Sequence, residues 1–502
     1  MGRWLARGVL NVSAEVGFAK VGESLNDLEV GCCFDLTPSL MKRLFLTLFS
    51  ALGVCSSFCA AKSAQQPNLI IILTDDQGYA DVGFNGCTDI PTPHIDRIAD
   101  EGVRFTHGYV SYPVCGPSRA GLITGRYQGR FGYRNNPTLN PFDPMAGLPL
   151  EEENMAEVLG RVGYHSGIIG KWHLGTHPQF RPNVQGFDEF YGFVAGGHRY
   201  FPEDLVYETI EEVDQKGGWY STKLRRNEAV VETDEYLTDE LSNEAVDFIA
   251  RNHEKPFFLY VAYNAPHTPM QASQKYLDRL PHIEDDLRRT YAAMVSAVDD
   301  GVGRILEELE IQDIDENTLV FFLSDNGGAS NNGSSNLPLR GMKGGIYEGG
   351  MHVPFAFRWP GQVPAGVDYE QPVSSMDIMG TIAGLTNVRI AEDRPLDGVN
   401  LMPYLQGQED GPPHEFLFWQ MDSAQDGAVR NGDDKLVLQS DETVTELYDL
   451  GRDLAESTNL AAAQEKKVAR LRAAYDEWTS QLKPCPYDRL GTWDPAKPRQ
   501  SR

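Results

Sequence analysis

Beyond residue 64 the chain is poor in cysteine. Of seven in all, only Cys87, Cys115 and Cys485 remain there. A disulfide scaffold is thereby excluded, and an odd count leaves at least one cysteine for another use. Cys87 and Cys485 could bridge, which sequence cannot decide. Positive charge is also scarce. Lys and Arg number 44 against 72 Asp and Glu, a net charge of −28, or −29 without residues 1–64. A nucleic-acid binder needs a basic footprint to meet phosphates, so that class is excluded. The apolar run 44–54 falls short of the roughly 20 residues that a membrane-spanning helix requires. Internal repeats and low-complexity tracts are lacking too. What is there is globular: 502 residues, 41% hydrophobic and 23% charged. That length suggests two domains, or one large α/β domain with an appendage.

Met41-Lys42-Arg43 precedes the apolar run, and small residues follow at Ala60, Ala61 and Ala64. A basic region, a short apolar stretch and a small-residue cleavage site read as a secretory signal peptide over 41–64. Residues 1–40 are then read as a non-native extension with Met41 as the true start, a genuine cytoplasmic segment being the alternative. A lipid anchor at Cys55 or Cys59 is disfavoured by the bulky Val54 and Phe58 before them. The protein is expected to be exported, periplasmic or extracellular.

Short apolar runs then alternate with amphipathic helices, the pattern of a doubly wound, parallel sheet. Run 68–73 leads into Thr74-Asp75-Asp76. Run 165–169 leads into Gly170-Lys171-Trp172-His173. Run 256–262 ends in Asn264-Ala265-Pro266-His267, and run 319–323 opens into Ser324-Asp325-Asn326. Helices are expected from Pro93 towards Gly102, around Met155 to Val162, and over 287–309. In such sheets ligands bind beyond the carboxyl ends of the strands, so these four loops are expected to converge. Near residue 410 the character changes. The prediction is an α/β fold: a large mixed, mostly parallel sheet flanked by helices over 65–410, a smaller C-terminal α+β subdomain over 411–483, and a surface tail over 484–502. The subdomain is expected to be a short antiparallel sheet plus a helix.

The strongest local signal is Cys115-Gly116-Pro117-Ser118-Arg119, continued by Leu122-Ile123-Thr124-Gly125-Arg126. Pro117 suits a helix's first turn, which puts Cys115 at an amino end where unpaired N–H groups favour anions. As a plain thiol Cys115 could be a phosphatase-like nucleophile or a buried apolar residue. The segment, however, resembles the C-x-P-S-R element of the sulfatase family. Gly163-Tyr164 with Gly170-Lys171-Trp172-His173 is similar to that family's second signature. The resemblance runs from about Pro67 to Ala462, taking in Leu339-Arg340-Gly341-Met342-Lys343-Gly344, Glu348-Gly349-Gly350 and Glu446-Leu447-Tyr448-Asp449-Leu450. It is nearest in pattern to secreted bacterial arylsulfatase and N-acetylgalactosamine-6-sulfatase-like enzymes.

The resemblance implies that a separate maturase oxidises Cys115 to formylglycine, whose hydrate supplies the nucleophile. It implies one calcium ion on Asp75, Asp76, Asp325, Asn326 and the converted Cys115, an oxygen set suited to a hard cation. No histidine-rich set accompanies these ligands, so a second, zinc-like site is not expected. Arg119 and Lys171 would orient the hydrate, and Lys171 and Lys343 would clamp sulfate oxygens. Asp325 would be the base of the first half-reaction, His267 with Lys343 the acid, and His173 the base of the second. His352 stands where the family often has Arg, and is read as supporting or structural. His94, His165, His177 and His282 have no matching role. His198 and Arg199, on Gly196-Gly197-His198-Arg199-Tyr200, are taken as substrate-binding candidates for a sulfated sugar, with an ordinary surface loop as the plain alternative. Two other functions stay open: a phosphonate or phosphate ester hydrolase, and a non-catalytic, calcium-dependent carbohydrate binder.

Overall fold

The computed structural model describes residues 66–421, 426–439, 445–488 and 494–495. The segments read as an extension and as a signal peptide lie outside the described residues. Among the described residues no helix is long and apolar enough to cross a membrane.

The large sheet has ten strands. In spatial order they are Val367–Tyr369, Val103–Phe105, Phe355–Arg358, Thr318–Ser324, Asn68–Thr74, Phe257–Ala262, His165–Lys171, Glu189–Phe193, Leu224–Arg226 and Ala229–Val231. The five from Thr318–Ser324 to Glu189–Phe193 run parallel, while Phe355–Arg358 and Leu224–Arg226 flank them antiparallel. Central parallel strands are covered on both faces, which is why they read as unbroken apolar runs rather than alternating ones. Asn68–Thr74 and Thr318–Ser324 are buried at every position.

Register decides where the chemistry goes. Leu73 pairs with both Ala262 and Leu323, Thr74 with Ser324, and Gly170 with Ala262. Four strands therefore end level with one another, and their exit loops open on one edge.

The long helix Asp286–Ile311 packs against Leu237–Asn252 and Pro93–Asp100. It also completes the last of these. Thr92, preceding Pro93, makes no side-chain cap, and the free N–H groups of His94 and Ile95 instead donate to Asp299 Oδ1 of the long helix, at 3.0 and 2.8 Å. One buried carboxylate thus serves as the cap of a neighbouring helix. Asp299→Ala should lower the unfolding free energy by about 2 kcal/mol, the upper range for a lost cap because two donors share this one buried carboxylate. Urea unfolding checks this; a midpoint unchanged from the parent would count against it.

The C-terminal sheet is antiparallel in the order Leu417–Gln420, Gly427–Asn431, Asp434–Leu438, Thr445–Asp449. The helix Glu465–Thr479 lies on it, with Phe418 stacked on Trp478 at 5.0 Å. The Trp419 indole donates to Val110 O at 2.7 Å, tying this sheet to the strand-to-helix segment that precedes Cys115. The tail corrects its expected surface position in part. Tyr487 is buried and donates to Asn135 O, and Thr138 N donates to Asp488 O. An aromatic ring with a hydroxyl partner outweighs the Pro and Arg content around it. Cys87 and Cys485 are both free: the first bonds to Asp89, the second to the backbone of Tyr487.

Candidate active site

Cys115 opens the helix Cys115–Thr124, as Pro117 predicted, and every residue of that helix is buried. Its Sγ receives the Lys343 ammonium at 3.1 Å. From the first strand exit, Asp75 accepts Lys171 Nζ on Oδ2, with Arg119 Nη2 3.7 Å away. Asp76, at a positive φ of 63°, accepts Asn326 Nδ2 at 2.7 Å and Lys343 Nζ at 2.5 Å on Oδ1. Its Oδ2 lies 3.7 Å from His267 Nε2. From the fourth exit, Asp325 Oδ2 accepts Arg119 Nε at 2.9 Å, with Nη2 in ion-pair contact at 2.8 Å. Non-glycine residues at positive φ are held there by surrounding structure, and His173, at 56°, is a second in this site.

Electrostatics follows from burial among charges. Desolvation pushes the Cys115 thiol up to about 12, although Lys171 and Lys343 oppose it. A phosphatase-like thiolate is therefore disfavoured, since that chemistry needs a lowered value. Burial pushes Asp325 up to about 6, helped by the Asp75 charge and opposed by Arg119. Burial also penalises the Asp76 carboxylate, yet Lys343 and His267 hold it below the ordinary range. His267 is pushed down to about 3 by burial, against the pull of Asp76. Its Nδ1 faces Thr268 O at 2.6 Å, which leaves Nε2 for the site. His173 is lowered by burial and by Lys171 and Arg119, and neither ring nitrogen has a protein partner. Gly196 presses on that ring: a Cβ there would come 2.6 Å from Nε2.

The donor set fits a hard cation. Asp75, Asp76, Asp325 and Cys115 offer ligand atoms all within 4.8 Å of one another. Asp75 Oδ1 and Asn326 Oδ1 are buried without a hydrogen-bond partner, the state a bound ion would relieve.

Ten predicted residues thus come together: Asp75, Asp76, Cys115, Arg119, Lys171, His173, His267, Asp325, Asn326 and Lys343. His198 does not join them as a ligand-binding group. It is fully buried, and its ring nitrogens face Arg199 O and Thr222 O, each at 2.7 Å, so no polar ring atom is left for a sugar. Arg199 is exposed, its backbone N–H bonded to Tyr220 O. His352 is buried between Glu348 Oε2 and Thr106 O, a structural role as read. Tyr220, whose ring lies 6.2 Å from that of His267, was not anticipated; no spacing around it signals the site.

Comparison with known proteins agrees with this geometry. Residues 67–388 match the family model described as Sulfatase. The chain is 39% identical to the N-acetylgalactosamine-6-sulfatase of Mus musculus, over 72% of this chain and 70% of that protein. It is 32% identical to the steryl-sulfatase of Rattus norvegicus, over 72% and 74%. The crystal structure of Ps i-CgsB in complex with k-i-k-neocarrahexaose superposes with a TM-score of 0.79 at 37% identity, covering 85% of this chain and 96% of that one. With the charged exits of four parallel strands gathered around Cys115, this chain belongs to the sulfatase family, the hydrolases of sulfuric esters.

Proposed function

We propose that the protein releases sulfate from a sulfated carbohydrate, using Cys115 converted to formylglycine and one calcium ion held by Asp75, Asp76, Asp325 and Asn326. The observation that carries this reading is the pair of unpartnered oxygens, Asp75 Oδ1 and Asn326 Oδ1, beside a helix-opening cysteine that Lys343 contacts. The carbohydrate is supported by the similar enzyme that acts on N-acetylgalactosamine 6-sulfate by name, and by the similar structure holding a neocarrahexaose. Export through residues 41–64 and conversion of Cys115 by a separate maturase belong to the same reading.

When present, the converted side chain supplies an oxygen nucleophile and the cation a concentrated positive charge. The chain's own residues do the rest. Lys171 and Lys343 neutralise sulfate oxygens from opposite partners, Asp75 and Asp76. Asp325, raised towards neutrality, takes a proton from the attacking group, while Arg119 fixes its carboxylate. His267 and Lys343 together protonate the departing alcohol: burial keeps the ring neutral with Nδ1 on the Thr268 carbonyl, so the proton passed on at Nε2 is one supplied by the Lys343 ammonium. His173, with both nitrogens unpartnered, removes the proton that lets sulfate leave. The chain's acidity repels a sulfated polymer at long range, so capture rests on these few local cations.

Mass spectrometry of the Cys115 peptide, from protein co-expressed with a maturase, tests the conversion. The expected product is an aldehyde together with release of sulfate from nitrophenyl sulfate. Faster turnover of nitrophenyl phosphonate would move the assignment to phosphonate hydrolysis. Calcium-dependent sugar binding without sulfate release would leave a binder rather than an enzyme.

A further inference from the structure

Lys343 sits on a segment with little structure of its own. Residues 339–350 include glycines at 341, 344, 345, 349 and 350, and their only regular element is the start of the short helix Glu348–Met351. Such a segment has much backbone freedom to lose, so an ammonium at a fixed place needs ties from outside. Some come from the catalytic sheet: Lys343 N donates to Gly328 O at 3.1 Å, and Gly344 N to Pro113 O at 2.8 Å. The approach is close, since a Cβ on Gly327 would come 1.8 Å from Gly349 O.

Tyr109 and His352 of the same catalytic part also bond Glu348 Oε2, and a further set of ties, polar and largely buried, comes from the C-terminal sheet and the turn after it. Lys435 Nζ lies 2.8 Å from Glu348 Oε1 and 2.8 Å from Glu456 Oε1, all three side chains fully inaccessible. Glu348 N donates to Glu456 Oε2 at 2.7 Å. Arg340 donates to Tyr448 OH at 2.8 Å and to Glu456 O at 3.0 Å. Tyr347 lies under the Arg340 guanidinium and donates to Glu446 Oε2 at 2.6 Å. A sheet that only covered apolar surface would not bury a lysine between two carboxylates, because desolvating those ions costs more than apolar packing would. What such a triad supplies is one defined geometry.

We infer that the C-terminal sheet is a positioning element for Lys343, with Lys435 and Glu456 clamping Glu348 and Tyr448 fixing Arg340, so that segment 339–350 presents its ammonium to residue 115. The inference rests on the site reading given above, in which Lys343 acts on the sulfate group. Lys435 is a positioning residue, not a catalytic one.

The test uses the matured, calcium-loaded full chain. Lys435→Met should lower kcat on nitrophenyl sulfate by up to about 100-fold, the effect of a misplacement near 1 Å, with KM changed far less. Arg340→Gln, at an exposed side chain, should act in the same direction and serves where Lys435→Met folds poorly. Two readouts separate positioning from general stability. Amide hydrogen exchange should quicken over 339–350 while the strand Asn68–Thr74 keeps its protection. In a Lys343→Ala background the added substitution should have almost no further effect on kcat, because the group it positions is gone. Unchanged exchange over 339–350, or losses that multiply in full with Lys343→Ala, would overturn the inference. Unchanged sulfate release by Lys343→Ala alone would overturn the assigned role of Lys343. Exchange would then still report whether the sheet holds the segment.

Discussion

Cys115→Ala should abolish sulfate release, by about 10⁴-fold or more, with the fold left in place. The size of the loss follows from removing a covalent nucleophile from a site whose members act as a unit. The mildness for the fold follows from the position. Residue 115 is the first residue of its helix, alanine favours helix, and only a sulfur is deleted from the buried site. Thermal unfolding should shift by only a few degrees. An unconverted cysteine should be nearly as inactive as the alanine variant, because burial drives its thiol up to about 12 and leaves it protonated at neutral pH. Assay of unconverted protein beside the variant checks this, and full sulfatase activity from an unmodified thiol would sink the mechanism.

Removing the proposed calcium ion should have an effect of similar size, but a reversible one. Chelation leaves Asp75, Asp76 and Asp325 close together with only Lys171, Lys343 and Arg119 to balance them. Turnover should vanish and return on adding calcium. The ion should also stabilise the fold, by about 2.7 kcal/mol when free calcium is 100 times its Kd, so the unfolding temperature should track the ion concentration. Asn326→Ala isolates the ligand effect. It deletes a neutral ligand whose Oδ1 has no protein partner, and although its Nδ2 bond to Asp76 goes too, Lys343 still pairs that carboxylate; the calcium concentration needed for half-maximal turnover should rise about tenfold or more. Activity insensitive to chelation would refute the metal assignment.

The catalytic half of the molecule was legible because its elements carry strong local signals. Fully buried parallel strands read as apolar runs, and each of the four bears a charged or imidazole group at its end or within five residues of it. The three-residue strands Val103–Phe105, Val367–Tyr369 and Leu224–Arg226 were not legible. The first two exist through pairing with partners far along the chain, the third also pairs locally with Ala229–Val231, and three residues cannot show a period. Gly196-Gly197-His198 suggested a flexible grip, yet these glycines serve close packing against His173 and Tyr220, which carries His198 inward. Lys435 lies in the strand Asp434–Leu438, and nothing local in the sequence marks its ammonium as the buried partner of Glu348, 87 residues away. Charge that is compensated only by distant sequence is invisible until the chain is folded.

Cys115 is 1% exposed, and the nine residues after it are buried as well. No second protein could close around that sulfur in the finished molecule. Any enzymatic change to it must take place while the chain is still being made or has yet to collapse, and a molecule that folds first has missed its only opportunity. Specific activity would then record each molecule's synthesis. Supplying the proposed maturase to a purified, inactive sample should recover nothing, whereas unfolding and refolding in its presence should.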